Sequence, residues 1–246
     1  GTGEFLISIT PGAWFPDVAY NSTNDNYLVV WPDYGFSPTR VRGRFVTSEG
    51  AVSGGVLTFS DDPTTYKLFP AIAYNATDNE FLVTWDDGRA GDVIWGQRVR
   101  GSDGALLGSN FQIGQTGGIR SAVAWNAQSN VYLVTWWGGN PINVSGRRVG
   151  NTGALLGLQL NISADQAFSG YPAVASDDAN QFLVTWDHSP PDNGNNGFIR
   201  GQRVDAVAGR EGEGDALAGE GGSDRVDRLA AEIGVEQRHV AGNAVD

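Results

Sequence analysis

The sequence predicts an all-β protein, a β-propeller of four recognisable four-stranded blades. Three observations carry the prediction. A phrase that reads "FLVTW" and ends on Trp85 recurs with endings at Trp31, Trp136 and Trp186, at spacings of 54, 51 and 50 residues. A fixed period of that size marks a repeat architecture. The other short apolar phrases of each repeat are rich in β-branched and aromatic residues and bounded by turn-forming runs such as "NATDNE" and "GSDG", the pattern of strands joined by tight turns. Finally, no segment of residues 1–205 sustains a 3.6-residue apolar period, which sets a helical solenoid aside.

Each repeat contains four such phrases, here termed strands A to D. Strand A reads "PDVAY" from Pro16, "PAIAY" from Pro70, "SAVAW" from Ser121 and "PAVAS" from Pro172. Its small residues suit strands that crowd a central axis. Strand B is the tryptophan phrase. It alternates, so Leu82 and Thr84 face one way while Phe81, Val83 and Trp85 face the other, and the tryptophan reads first as packing between blades. Strand C carries "RGRFV", "GQRV", "GRRV" and "GQRV" from Arg42, Gly96, Gly146 and Gly201. Strand D appears three times, as "VLTFS", "NFQIG" and "LQLNIS" from Val56, Asn110 and Leu158. Four strands make the unit of a propeller blade, and the repeats run over about 16–69, 70–120, 121–171 and 172–205.

The last repeat lacks a strand D. Residues 5–9, "FLISI", resemble the end of that strand and are expected to complete the last blade and close the ring. Closure would remove the edges that a repeat sheet leaves open. Residues 206–246 contain no Phe, Trp or Tyr and hold nine acidic residues against four Arg. This atypical tail reads as a helix, a disordered extension or a degenerate, irregular fifth blade.

Composition narrows the function classes. The chain has 246 residues, 40% hydrophobic, which is ample for a buried core. It carries a net charge of −12, so no basic face is available for nucleic acid. It has no Cys, which excludes disulfides, thiolate metal sites and cysteine nucleophiles. No apolar run is long enough to span a bilayer. The chain contains no Met, and its start reads as processed, with any signal peptide removed. Asn21, Asn75, Asn143 and Asn161 each open an Asn-x-Ser/Thr sequon, a short pattern of little weight.

The combination of P-A-V-A-Y-N, [FY]-L-V-T-W and G-Q-R-V over residues 1–205 resembles the blade repeat of secreted bacterial β-propeller proteins, many of them functionally uncharacterised. It differs from WD40 repeats, which carry an upstream Gly-His, and from kelch repeats, which need paired glycines after the second strand. The resemblance implies the fold and a secreted or periplasmic location, and hardly constrains chemistry.

In an up-and-down blade the B–C and D–A loops emerge on one face. That face carries the varied sequence, with carboxylates and aromatics, whereas the opposite loops are repetitive. Trp14, Tyr34, Tyr66, Trp137 and Phe168 are placed to line its rim. Pyranose faces stack on such rings, and Asp and Asn take sugar hydroxyls. Asp17 breaks the repeat where the other blades have Ala71, Ala122 and Ala173, at the mouth of the central channel. It reads either as a solvated lining or cap, or as a catalytic carboxylate. Glycoside hydrolysis needs two carboxylates roughly 5–9.5 Å apart. Asp17 as acid and Asp86, or else Asp187, as the better solvated base would supply them. Asp33, Asp86 and Asp187 also read as turn caps. Asp87 and Arg89 in "DDGR" read as a local ion pair and His188 as a surface residue, and all three are also candidates to bind substrate on that rim. With one His before the tail and no Cys, a zinc site is not expected. Asp/Asn-rich loops leave a structural calcium conceivable, although no D-x-D-x-D-G spacing occurs. No other cofactor is implied. The expectation is a carbohydrate-active propeller, a glycoside hydrolase first, with a lectin-like glycan binder and a protein-interaction scaffold as the rival readings. A binder would repeat its site in every blade, and a scaffold would show an apolar patch.

Overall fold

Each tryptophan phrase is the second strand of an antiparallel sheet. The computed structural model describes residues 3–60, 62–115, 117–163, 168–177, 179–189 and 197–207. Blade one comprises β1 (Asp17–Asn21), β2 (Asn26–Asp33), β3 (Arg40–Thr47) and β4 (Val52–Thr58). Blade two comprises β5 (Lys67–Asn75), β6 (Glu80–Asp87), β7 (Val93–Arg100) and β8 (Leu106–Gln112). Blade three comprises β9 (Gly118–Asn126), β10 (Val131–Gly138), β11 (Asn143–Gly150) and β12 (Leu155–Asn161). Blade four has three strands among the described residues, β13 (Phe168–Ser176), β14 (Gln181–Ser189) and β15 (Phe198–Asp205). Every sheet runs in sequence order, as hairpin connections dictate.

The alternation in strand B decides how blades stack. Leu28, Val30, Val41 and Phe59 of blade one pack against Ile72, Phe81, Val83, Trp85 and Val99 of blade two. The same division recurs at the next two interfaces. Leu82 and Ile94 meet Tyr132, Val134 and Trp136, and Leu133 and Val144 meet Phe182, Val184 and Trp186. Each blade thus presents a leucine face to its successor and a tryptophan face to its predecessor. The repeated glycine of strand C allows strand D to fold over this core. A Cβ on Gly43 or Gly96 would stand 2.7 Å from Phe59 or Ile113, and one on Gly146 would stand 2.8 Å from Ile162.

The expected closing strand is a correction. Residues 5–9 form no strand, and no closed sheet is found. The Arg44 guanidinium donates to the Ile7 carbonyl at 3.3 Å, and Phe5 lies over Gly50. The segment therefore follows the outer strands of blade one, with Leu6 and Ile9 exposed. An apolar alternation fits any strand edge, and the segment is met here by a side-chain donor on a carbonyl rather than by a ladder. The tail readings concern residues outside those described, apart from Ala206 and Val207.

On the opposite face, the bland A–B loops clip neighbouring blades together. Asn21, Asn75 and Asn126, at the ends of β1, β5 and β9, are buried. Asn75 Nδ2 donates to Asn130 Oδ1 of the next blade at 2.8 Å, while its Oδ1 accepts the Asp78 amide at 3.0 Å. Asn21 Nδ2 likewise reaches the Gly101 carbonyl at 3.1 Å, and Asn126 Nδ2 reaches Ser176 Oγ at 2.8 Å. The sequons at Asn21 and Asn75 are thus spent on structure. Because removal strands buried partners, Asn75→Ala should lower stability by about 1–3 kcal/mol, read as a lower urea midpoint at unchanged slope.

Candidate functional site at the blade axis

Where strand A begins, the backbone takes the same strained form in every blade. Phe15, Phe69, Arg120 and Tyr171 have φ of 44°, 46°, 51° and 51°, left-handed values that non-glycine residues rarely adopt. In blades two and four they lie in register breaks, between Leu68 and Ala71 and between Gly170 and Ala173. Such bulges re-aim a side chain, and strain of this kind concentrates at functional sites. All four residues, with Pro16, Pro70, Ser121 and Pro172 beside them, line one cavity of about 320 Å³. That is within the size range of small-ligand sites.

The cavity is aromatic with one cation. The Phe15 and Phe69 rings meet edge to face at 5.1 Å. The Arg120 guanidinium stands 3.9 Å from the Phe69 ring centre and 5.4 Å from that of Tyr171. Trp137 packs on Tyr171 at 5.0 Å and on Phe168 at 5.5 Å, extending the aromatic wall onto the rim. Burial raises the pKa of the Tyr34 hydroxyl, and the Arg120 charge opposes that shift. The side of the cavity that departs from the repeat is Arg120-Ser121, where the other blades have an aromatic residue and Pro.

Two of the expected carboxylates stand behind this wall rather than on it. Asp17 accepts the Val18 amide at 2.9 Å on Oδ1 and the Ile72 amide of the next blade at 2.9 Å on Oδ2. Asp86 accepts the Arg120 amide at 2.8 Å. It is only 2% exposed, which corrects its expected role as the better solvated partner. Burial pushes its carboxyl up to about 7, against the lowering effect of the Arg120 amide and charge. Its Oδ2 is buried with no hydrogen-bond partner. Both carboxylates tie one blade to the next. Asp187, the counterpart of Asp86 in the last blade, is exposed.

The remaining candidates are distributed elsewhere. Asp33 caps its own turn through the Gly35 amide at 2.9 Å, and Asp87 does so through the Arg89 amide at 3.0 Å. Asp87 is fully buried and also accepts from Trp85 Nε1 at 3.0 Å and from Arg89 Nη2 at 2.8 Å. Arg89 stacks on Trp95 at 3.8 Å, so "DDGR" is a structural knot rather than an open ion pair. Nearby, the buried Lys67 ammonium donates to Asp62 Oδ2 at 2.9 Å, and hydrogen bonds from Thr64 and Lys67 hold the Asp62 carboxyl well below its usual range. Tyr66 is exposed and donates to the Asp92 carboxylate, which pushes its hydroxyl up to about 12. Trp14 and Tyr34 are exposed on blade one. His188 is buried, a second correction, because the alternation that buries Trp186 buries the residue two positions on. Among the described residues, no group of three His, Cys, Asp or Glu stands close enough to hold a metal ion, and no helix is long and apolar enough to cross a membrane.

Phe15, Phe69, Arg120 and Tyr171 were not expected from the sequence. Their signal was present, as "FP", "FP", "RS" and "YP" at the repeat period directly before strand A.

No protein-family model matches the chain, and no curated sequence is similar to it. Its fold is shared with solved structures at low identity. A protein of unknown function from Dyadobacter fermentans is 15% identical with a TM-score of 0.57, the match covering 76% of this chain and 52% of that one. A Hadza microbial sialidase is 7% identical with a TM-score of 0.58, covering 80% and 45%. An exo-β-1,3-galactanase from Phanerochaete chrysosporium is 10% identical with a TM-score of 0.54, covering 80% and 50%. The chain spans about half the length of these structures. What it shares with them is an all-β propeller fold.

Proposed function

We propose that the chain is a carbohydrate-binding propeller that holds a sugar over the axial cavity. The observation that carries this reading is the lining of the cavity. Three aromatic rings, one guanidinium and the hydroxyls of Ser121 and Tyr171 belong to its lining, and no carboxylate is among the described residues that line it. Rings offer stacking surface and the guanidinium and hydroxyls donate to sugar oxygens, but the acid and base of a hydrolase would both have to reach the bond being cleaved. The two glycan-directed enzymes among the solved structures named above agree in fold with this reading. The resemblance of the repeat to secreted bacterial propellers supports an encounter with glycan outside the cytoplasm.

The test is a glycan-array screen followed by calorimetry on the best ligand. Phe69→Ala and Arg120→Ala should each weaken binding by roughly fivefold, since one ring or cation contact is worth about 1 kcal/mol. Equal affinity in both variants would place the site elsewhere.

A glycoside hydrolase is the second reading, favoured by Asp86. A carboxyl near pH 7 is suited to a general acid. In that case reducing sugar is released from a polysaccharide, and release falls by orders of magnitude in Asp86→Asn and in Asp17→Asn.

A further inference from the structure

Four equivalent positions line the axial cavity, and only Arg120 among them carries charge. The Phe69 and Tyr171 ring centres lie 3.9 and 5.4 Å from its guanidinium, close enough for cation–π attraction to hold it in place. Among the described residues the guanidinium forms no hydrogen bond and no ion pair. By contrast, Arg42, Arg89 and Arg98 are paired with Asp33, Asp87 and Glu80. The carboxylates behind the cavity wall are turned to the backbone instead. Both oxygens of Asp17 accept amides, and Asp86 accepts the amide of Arg120 rather than its side chain.

The side chains of the lining are also short of acceptors. A guanidinium only donates, and Ser121 Oγ already shares a hydrogen bond with Thr84 Oγ1 at 2.9 Å. No side-chain amide or carboxylate is among the described residues of the lining. A neutral sugar presents hydroxyls that both donate and accept, so it needs acceptors opposite it as well as donors. A carboxylate only accepts, and it matches the flat fork of a guanidinium through two parallel hydrogen bonds. We propose that the axial cavity takes a glycan residue that bears a carboxylate, a hexuronic acid, with the carboxylate on Arg120 and a sugar face on the Phe69 or Tyr171 ring. This inference rests on the carbohydrate reading above and adds to it the charge of the ligand. The net charge of −12 disfavours anions in general, so a preference for the acid form comes from this one cation.

Calorimetry on the full chain with short oligouronates of the galacto, gluco and manno series tests this, each beside its methyl ester and its neutral parent. At least one acid form is expected to bind, with its ester and its neutral parent roughly tenfold weaker or more. Arg120→Gln should weaken the acid by roughly tenfold or more and the ester far less, so that the difference between them closes. Phe69→Ala should weaken acid and ester alike. Circular dichroism and melting temperature establish that each variant is folded, and the comparison of acid with ester on the wild-type chain needs no variant. An ester or neutral parent that binds as tightly as the acid, with Phe69→Ala weakening both, overturns the acidic ligand and leaves the carbohydrate reading standing. So does a chain that binds neutral glycans but no uronate. A sulfated neutral oligosaccharide that binds as tightly as the uronate overturns the carboxylate, and a preference for the acid that persists in Arg120→Gln overturns the role of Arg120. A chain that binds no glycan overturns both readings.

Discussion

Replacing Trp85 by Ala should lower stability by about 3–5 kcal/mol, the range for truncating a large aromatic residue in a core. The side chain has no exposed surface and sits between blades one and two with Leu28, Val30 and Phe59 of the neighbouring sheet. No residue on either blade is free to collapse into the space, because the sheets are held at their spacing by their own ladders. The loss also reaches the loop that follows, since Trp85 Nε1 donates to buried Asp87. For a chain of this length, a melting temperature roughly 6–20 °C lower is expected. Trp14→Ala is the matched control. That side chain is exposed, and its loss should change stability by no more than about 0.5 kcal/mol. A Trp85→Ala chain within 1 kcal/mol of wild type would mean that blade packing does not depend on the repeated tryptophan.

The repeat made the blades legible because strand pairing here is local. Each hairpin joins neighbours in sequence, and the alternation in "FLVTW" fixes which side chains face which blade. What joins one blade to the next was harder to read. Asp17 bonds an amide 55 positions away and Asp86 one 34 positions away, and nothing in the spacing announces either contact. Asp17 stood out as a departure from the repeat, yet both its oxygens are engaged by backbone amides, so the departure alone did not distinguish a blade clip from a catalytic group. The same limit hid the axial residues. The meaning of the aromatic–Pro pairs depends on a left-handed backbone that sequence does not display. "FLISI" failed for a different reason. Its pattern is that of an edge strand, but a period-2 pattern does not name a partner, and in the structure the segment pairs with no strand and meets Arg44 of blade one. His188 was legible in principle, being in phase with Trp186.

Asp86 makes stability fall as pH rises, and its effect should be comparable in size to that of Trp85. Its folded pKa of about 7 lies above the ordinary carboxyl value of 3.8. Below pH 4 the group is neutral in both states, and its full contribution to stability is present. Between pH 4 and 7 the unfolded chain gives up the proton while the folded chain keeps it, so stability is lost with rising pH. Above pH 7 both states are ionised and the loss is complete. A shift of about three units corresponds to a change on the order of 4 kcal/mol. Carboxyls such as Asp62 and Asp87, whose pKa values are lowered by hydrogen bonds, act in the opposite direction, but only below about pH 4. Urea unfolding between pH 5 and 8, read as the difference between the wild-type and Asp86→Asn chains, therefore reports Asp86, since every other titratable group is common to both. Asn at this position keeps an oxygen for the Arg120 amide and cannot ionise. Its amide nitrogen would take the place of the unpartnered Oδ2, a penalty that is the same at every pH and moves the curve without tilting it. Relative to Asp86→Asn, the wild-type chain should lose about 2–3 kcal/mol from pH 5 to 8, leaving Asp86→Asn the more stable of the two at the alkaline end. Parallel curves for the two chains would show that the carboxylate is already ionised in the folded protein. That result would also remove the general-acid reading, because a group ionised at pH 5 has no proton to give to a leaving sugar.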